Sequence, residues 1–173
     1  MRKSFQLKSL SFMIVALLIA GFAKAQDAKP MASPRDSVSA KAGKANISIN
    51  YGSPSVRDRK VWGALVPYAQ VWRAGANEAT VFTTDKDIKV EGKVLPAGTY
   101  GFFTIPGEKE WTIIFNKVAK QWGAYKYDEK QDALRVTVKP VEKSEKSERL
   151  VYAVNSKGFN LTWDKLSVPV SVK

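Results

Sequence analysis

Residues 51–78 concentrate three arginines (Arg57, Arg59 and Arg73), two tryptophans (Trp62 and Trp72), Asn77 and Glu78 within 28 residues of loop-like sequence. An arginine fork matches the two oxygens of a carboxylate or phosphate. Asn77 offers both a donor and an acceptor, the pairing that reads sugar hydroxyls. A second aromatic-rich loop, residues 120–132, adds Trp122 and Tyr125, whose rings suit the apolar face of a sugar. Arg59, Arg73, Asn77, Glu78, Trp122 and Tyr125 are therefore the candidate ligand-binding residues. Each has a plainer reading. Arg73 and Glu78, five apart around a glycine, either pair to hold the loop or converge on a ligand. The run Arg57-Asp58-Arg59-Lys60 is either a solvated turn or, with Arg59 beside Arg73, half of an anion pocket. Trp62 and Trp72 read as plugs for the open end of a sandwich. Trp122 stands between plug and ligand wall.

The chain has no histidine and no cysteine. Thiol nucleophiles, Ser-His triads and Cys/His zinc sites are therefore excluded. No Asp-rich loop of EF-hand spacing occurs, so neither a metal nor a cofactor is expected. Glycoside hydrolysis stays open, because it needs only two carboxylates, about 5–5.5 Å apart for retention or about 6.5–9.5 Å for inversion. Glu78 with Asp58 or Asp128 is the pairing that could supply them. Ser53 and Ser55 lie near Lys60 but lack Ser-x-x-Lys spacing.

These loops need a scaffold, and the sequence suggests one. Arg2, Lys3 and Lys8 precede a short apolar run over residues 10–22, and Ala23-Lys24-Ala25 offers the small-x-small pattern of a cleavable export signal. Thirteen apolar-biased residues are too few for a helix to span about 30 Å of hydrocarbon. Residues 1–25 are thus expected to be removed after Ala25, leaving a periplasmic or secreted protein with no transmembrane segment. Residues 26–43, rich in Ala, Ser, Pro and Lys, read as a flexible leader. Residues 44–173 form the domain.

Within the domain, Ile47, Ile49 and Tyr51 alternate with polar neighbours, as do Leu134, Val136 and Val138. Residues 79–105 read as three short strands between tight turns, and residues 110–117 as a buried one. Residues 142–149 read as a charged hairpin end, and residues 61–69 as the one place for a short helix, limited by Pro67. The sum is an all-β antiparallel sandwich of about 8–10 short strands with two long loops. The net charge of +12 falls to +8 without Arg2, Lys3, Lys8 and Lys24. That charge favours anionic surfaces. The bases are spread without a nucleic-acid signature, so no nucleic-acid partner is expected.

The stretches YGSPSVRDRKVWGALVPYAQVWRAGANEAT, LPAGTYGFFTIPG, EWTIIFNK and QWGAYKYD closely resemble the bacterial envelope family called domain of unknown function 2911. The likeness runs over residues 36–173. Matching positions include Tyr51, Gly52, Pro54, Arg57, Arg59, Trp62, Trp72, Arg73, Gly75, Asn77, Glu78, Trp122, Gly123 and Tyr125. The resemblance implies an exported protein of Bacteroidetes-type bacteria and carries no activity or ligand with it. The reading that results is a non-enzymatic module binding an anionic or glycan-like envelope ligand at one end of the sandwich. The alternatives are an envelope glycan hydrolase using Glu78, and a structural partner of another envelope protein.

Overall fold

The computed structural model describes residues 31–173, so the export signal expected over residues 1–25 lies outside the described residues. The strands are β1 (Arg35–Ala42), β2 (Ala45–Gly52), β3 (Thr80–Thr84), β4 (Ile88–Val90), β5 (Lys93–Leu95), β6 (Gly98–Ile105), β7 (Trp111–Asn116), β8 (Asp132–Val138), β9 (Val141–Asn155) and β10 (Gly158–Ser171). The 3-10 turn Glu129–Gln131 is the one helical element among the described residues. Alternation sets the layers. Ile47, Ile49 and Tyr51 of β2 turn inward, while Asn46 and Asn50 face solvent. β1, β2, β3, β6, β7 and β8 form, in that order, one antiparallel sheet. A β9–β10 ribbon covers its inner face, where Phe82 and Phe102 pack on Phe159 at ring distances of 5.3 and 5.6 Å. The protein is an all-β sandwich.

β10 doubles back. It is interrupted by register shifts around Asp164, which sits at φ 53°. A Cβ at Gly158 would meet the Val170 carbonyl oxygen at 2.0 Å, so the two ends of the strand lie side by side. Only glycine fits there.

Four sequence expectations are corrected. Residues 35–42, placed in a flexible leader, form β1, paired with β2 from Arg35↔Gly52 to Ala42↔Ala45. An edge strand takes its hydrogen bonds from its neighbour's backbone, and Val38, Ala40 and Ala42 are apolar enough for its inner face. Residues 142–149 lie within β9 rather than in a hairpin end. Their charges face water on both sides, which hides the pairing Ser147↔Asp164 and Glu142↔Leu166. Residues 79–105 hold four strands rather than three, because β4 and β5 are a separate two-stranded unit. Residues 61–69 contain turns and no helix. Gly63 (φ 78°) and Ala69 (φ 57°) are left-handed, and the Gly63 and Val66 amides bond to the Val66 and Val61 carbonyls at 2.9 Å each.

Trp62 and Trp72 are buried, as expected of plugs, and they meet Trp111 of β7 and Trp163 of β10. Trp62 lies edge-on to Trp72, Trp111 and Trp163 at 5.8, 4.9 and 5.7 Å, while Trp72 stacks on Trp163 at 6.0 Å. The Nε1 atoms of Trp62, Trp111 and Trp163 have no oxygen acceptor. Replacing Trp62 with Ala is expected to cost about 3–5 kcal/mol in urea unfolding at neutral pH, because a hole would open in the middle of this cluster; a loss below about 1 kcal/mol would show that the cluster does not bind the loop to the sandwich.

Candidate functional site

The two long loops are joined to each other by backbone. The Gly123 amide donates to the Asn77 carbonyl at 3.1 Å and the Ala79 amide to the Gln121 carbonyl at 2.9 Å. Glu78 and Trp122 are thereby antiparallel bridge partners. Directly opposed residues of such a pair share a face. Asn77 (φ 63°) and Gly123 (φ 64°) make the turns that let this short ladder form, asparagine and glycine being the residues that tolerate the left-handed region.

The ladder overhangs the outer face of the sheet and encloses two adjoining clefts. One, of about 570 Å³, is lined by Arg35, Asn50, Glu78, Val81, Gln121 and Trp122 among others. The other, of about 330 Å³, adds Met31, Ser33 and Asn77 and shares Arg35, Glu78 and Trp122 with the first. Arg35 donates to Asn50 Oδ1 and stands 3.6 Å from Glu78 Oε2. With 30% and 60% of the two side chains exposed, this ion pair contributes about 0–1 kcal/mol and gives way easily. Arg35 Nη1 is sealed from solvent and has no hydrogen-bond acceptor. Trp122, 64% exposed, stands over both clefts as a wall.

Of the six residues named from sequence, Asn77, Glu78 and Trp122 come together here. Asn77 also ties down the preceding segment by donating to the Ser33 carbonyl at 3.2 Å. Arg59 lines neither cleft; its Nε and Nη2 donate to the Val56 and Ser55 carbonyls at 2.9 and 2.7 Å, which holds its own turn. Arg73 does not pair with Glu78, whose partner is Arg35. It is half-buried, and that burial lowers its pKa, against which only the nearby Tyr125 phenol acts. Tyr125 is 86% exposed, and its ring covers Gly123, where a Cβ would come within 2.9 Å. Arg35, Asn50 and Gln121 went unrecognised in the sequence. Arg35 lay within the segment read as leader, and its approach to Glu78 depends on strand register across 43 positions. Glu78 is the lone carboxylate of both clefts. Asp58 points to Lys146 at 3.9 Å and Asp128 caps the 3-10 turn, so neither joins Glu78 there.

The second loop is anchored from below by a network that the sequence did not reveal. Tyr127 packs on Phe103 at 5.2 Å, within a small apolar cluster with Ala79 and Ile114. Its hydroxyl donates to Asp132 Oδ2 at 2.6 Å and accepts from Arg135 Nη2 at 2.6 Å. Asn116 Nδ2 donates to the other Asp132 oxygen at 2.8 Å. Burial, then the hydrogen bond to Asp132, pushes the Tyr127 pKa up to about 12 from its ordinary 10.0. The fold thus favours the neutral phenol. That contribution is intact below pH 10 and is lost as the pH climbs through about 12. Wild type is expected to be more stable than Tyr127→Phe at pH 8 and to lose that advantage between pH 10 and about 12 in urea titrations; an advantage independent of pH would mean the phenol is not held neutral.

No curated protein and no solved structure matches the chain. The family described as "Protein of unknown function (DUF2911)" matches residues 33–172. That span takes in every described strand, the ladder between the loops, the first cleft and all of the second but Met31 and Ala32, and the chain belongs to the DUF2911 family.

Proposed function

We propose that this protein is an exported binding module that takes an envelope glycan in the groove between the Glu78–Trp122 ladder and the outer face of the sheet. The observation that carries the reading is Trp122. A large aromatic ring is left 64% exposed on a bridge that fixes its position, beside planar polar groups. Sugar sites combine these parts: a ring face takes the apolar side of a pyranose, while amides, a carboxylate and a guanidinium reach pairs of hydroxyls. Asn50, Gln121, Glu78 and Arg35 supply the second set. The Arg35–Glu78 pair is weak enough to exchange its contact for hydroxyls.

Binding without turnover is the reading that the groove favours, because Glu78 has no second carboxylate in it and already faces Arg35. Residues 31–173 carry 23 basic against 15 acidic side chains, a charge that suits an anionic envelope surface. Export is inferred from the signal-like residues 1–25.

The purified protein is expected to co-sediment with isolated cell-wall sacculi and to release no soluble fragments. Trp122→Ala should weaken that binding about thirtyfold, the loss of roughly 2 kcal/mol typical of a central aromatic anchor. Equal sedimentation of wild type and variant would overturn the groove as the site, and released fragments that disappear in Glu78→Gln would replace a binding module with a hydrolase.

A further inference from the structure

The two clefts beside the ladder have separate walls and a common middle. Arg35, Glu78 and Trp122 line both. Asn50, Lys120 and Gln121 line the larger only, whereas Met31, Ser33 and Asn77 line the smaller only. The contact between Arg35 Nη1 and Glu78 Oε2, 3.6 Å long, is therefore a sill that divides one groove into two chambers. It is a low sill. Side chains that are 30% and 60% exposed stay hydrated, and such a pair holds its geometry weakly. Trp122, fixed by its bridge to Glu78, flanks both chambers. At about 570 and 330 Å³, each chamber falls in the range of about 300–1,000 Å³ that holds one small ligand.

The wall of the smaller chamber is held in place from three directions. Residues 32–34 precede β1 and belong to no strand. Segments ahead of a first strand are poorly ordered unless they are tied down. Here the Ala32 carbonyl accepts from Arg57 Nη2 at 3.0 Å, the Ser33 carbonyl from Asn77 Nδ2 at 3.2 Å, and the Pro34 carbonyl from the Ser53 amide at 2.9 Å. Arg57 is itself left-handed at φ 49°, and its amide donates to Glu148 Oε1 at 2.9 Å. Pairing of β1 with β2 begins only at Arg35, so the sheet does not account for the order of residues 32 and 33. Two side chains from the long loop do, and one of them, Asn77, stands in the chamber that this wall encloses.

We infer that the two clefts are successive subsites for one linear glycan, with sugar rings on either side of the Arg35–Glu78 contact, so that the protein selects chains over single sugars. The inference rests on the groove reading and adds the length of the ligand to it. Asn50 and Gln121 meet the hydroxyls of the ring in the larger chamber. Asn77 and the segment at Ser33 meet those of the next, against the side chain of Met31. The linkage between the rings crosses the sill, where the exposed edges of Arg35 and Glu78 face it. Once the first ring is seated, the second binds as part of the same molecule, at an effective concentration on the order of millimolar, so a second subsite raises affinity steeply.

A ladder of glycan fragments cut from peptide-free sacculi, from a single sugar upward, tests this by calorimetry. Wild-type affinity is expected to rise about tenfold or more at the first fragment long enough to occupy both chambers, and to level off beyond it. Asn77→Gly removes the side chain from the smaller chamber and frees its wall, while glycine keeps the left-handed backbone that the ladder between the loops needs. Met31→Ala trims the same chamber at a residue 58% exposed, without risk to the fold. Both variants should shrink the step and leave the affinity for the shortest fragments as it was, because neither residue lines the larger chamber. Equal wild-type affinity for short and long fragments overturns the paired subsites and leaves the groove standing, as does a step undiminished in both variants. No wild-type binding to any fragment overturns the groove and the subsites together.

Discussion

Trp62 and Trp72 carry the loop between β2 and β3 into the sandwich beside Trp111 and Trp163, with Val56, Val61 and Val66 buried alongside. Everything on the outer rim follows from that anchorage. Once Trp72 is seated, its amide and carbonyl pair with Thr104 at 2.7 and 2.9 Å, which extends the edge of β6 into the loop. Arg73, Ala74 and Gly75 then run on a fixed course, and Gly75 passes close enough to β2 that a Cβ would stand 2.9 Å from the Gly52 carbonyl oxygen. Only then does the segment reach Asn77–Ala79 in register with Gln121–Gly123. The apolar interior thus sets the position of a polar surface feature by way of a few backbone hydrogen bonds.

The rim holds its cations under two different electrostatic conditions. Arg35 is shared between an amide and a carboxylate, partly in water, so its partners exchange at low cost. Arg73 is drier and lacks any partner within the domain. Each keeps one nitrogen sealed from solvent without an acceptor, Arg35 Nη1 and Arg73 Nε, which water does not reach to compensate. Beneath them, the Tyr127–Asp132–Arg135 network is fully satisfied, and its task is to keep the second loop against the sheet. A rigid, satisfied base under an unsatisfied rim is how binding surfaces are commonly supported.

Much of the fold was legible because alternation reports one buried face. Ile47, Ile49 and Tyr51, or Leu134, Val136 and Val138, declare both strand and orientation. Where neither face is strongly apolar, that signal fails. β1 has small side chains and the first half of β9 has charges on both sides, and both were misassigned although β1 pairs along its whole length with β2 and β9 meets β10 at Val141, Glu142 and Ser147. The candidate site was legible by residue type only. Asn77, Glu78 and Trp122 stood out because polar and aromatic groups crowd a loop. Their neighbours Arg35 and Asn50 come from a hairpin whose position beside the loop depends on sheet order, which local sequence does not encode. Arg59 carries the same chemistry as Arg73, yet its neighbouring carbonyls absorb it.

The sandwich is closed by partners far apart along the chain. The Gly43 amide bonds to the Ser156 carbonyl at 3.2 Å, Ser53 Oγ to the Leu150 carbonyl at 2.7 Å, and Lys89 exchanges amide and carbonyl with Lys173 at 2.8 and 3.0 Å. Each of these spans roughly a hundred residues of intervening chain, and loop-closure entropy must be met before any of them forms. Such a domain folds slowly from its extended state and gains little structure from any fragment alone. Slow folding leaves a long interval in which the chain is unstructured and threadable, the condition that passage across a membrane in extended form requires.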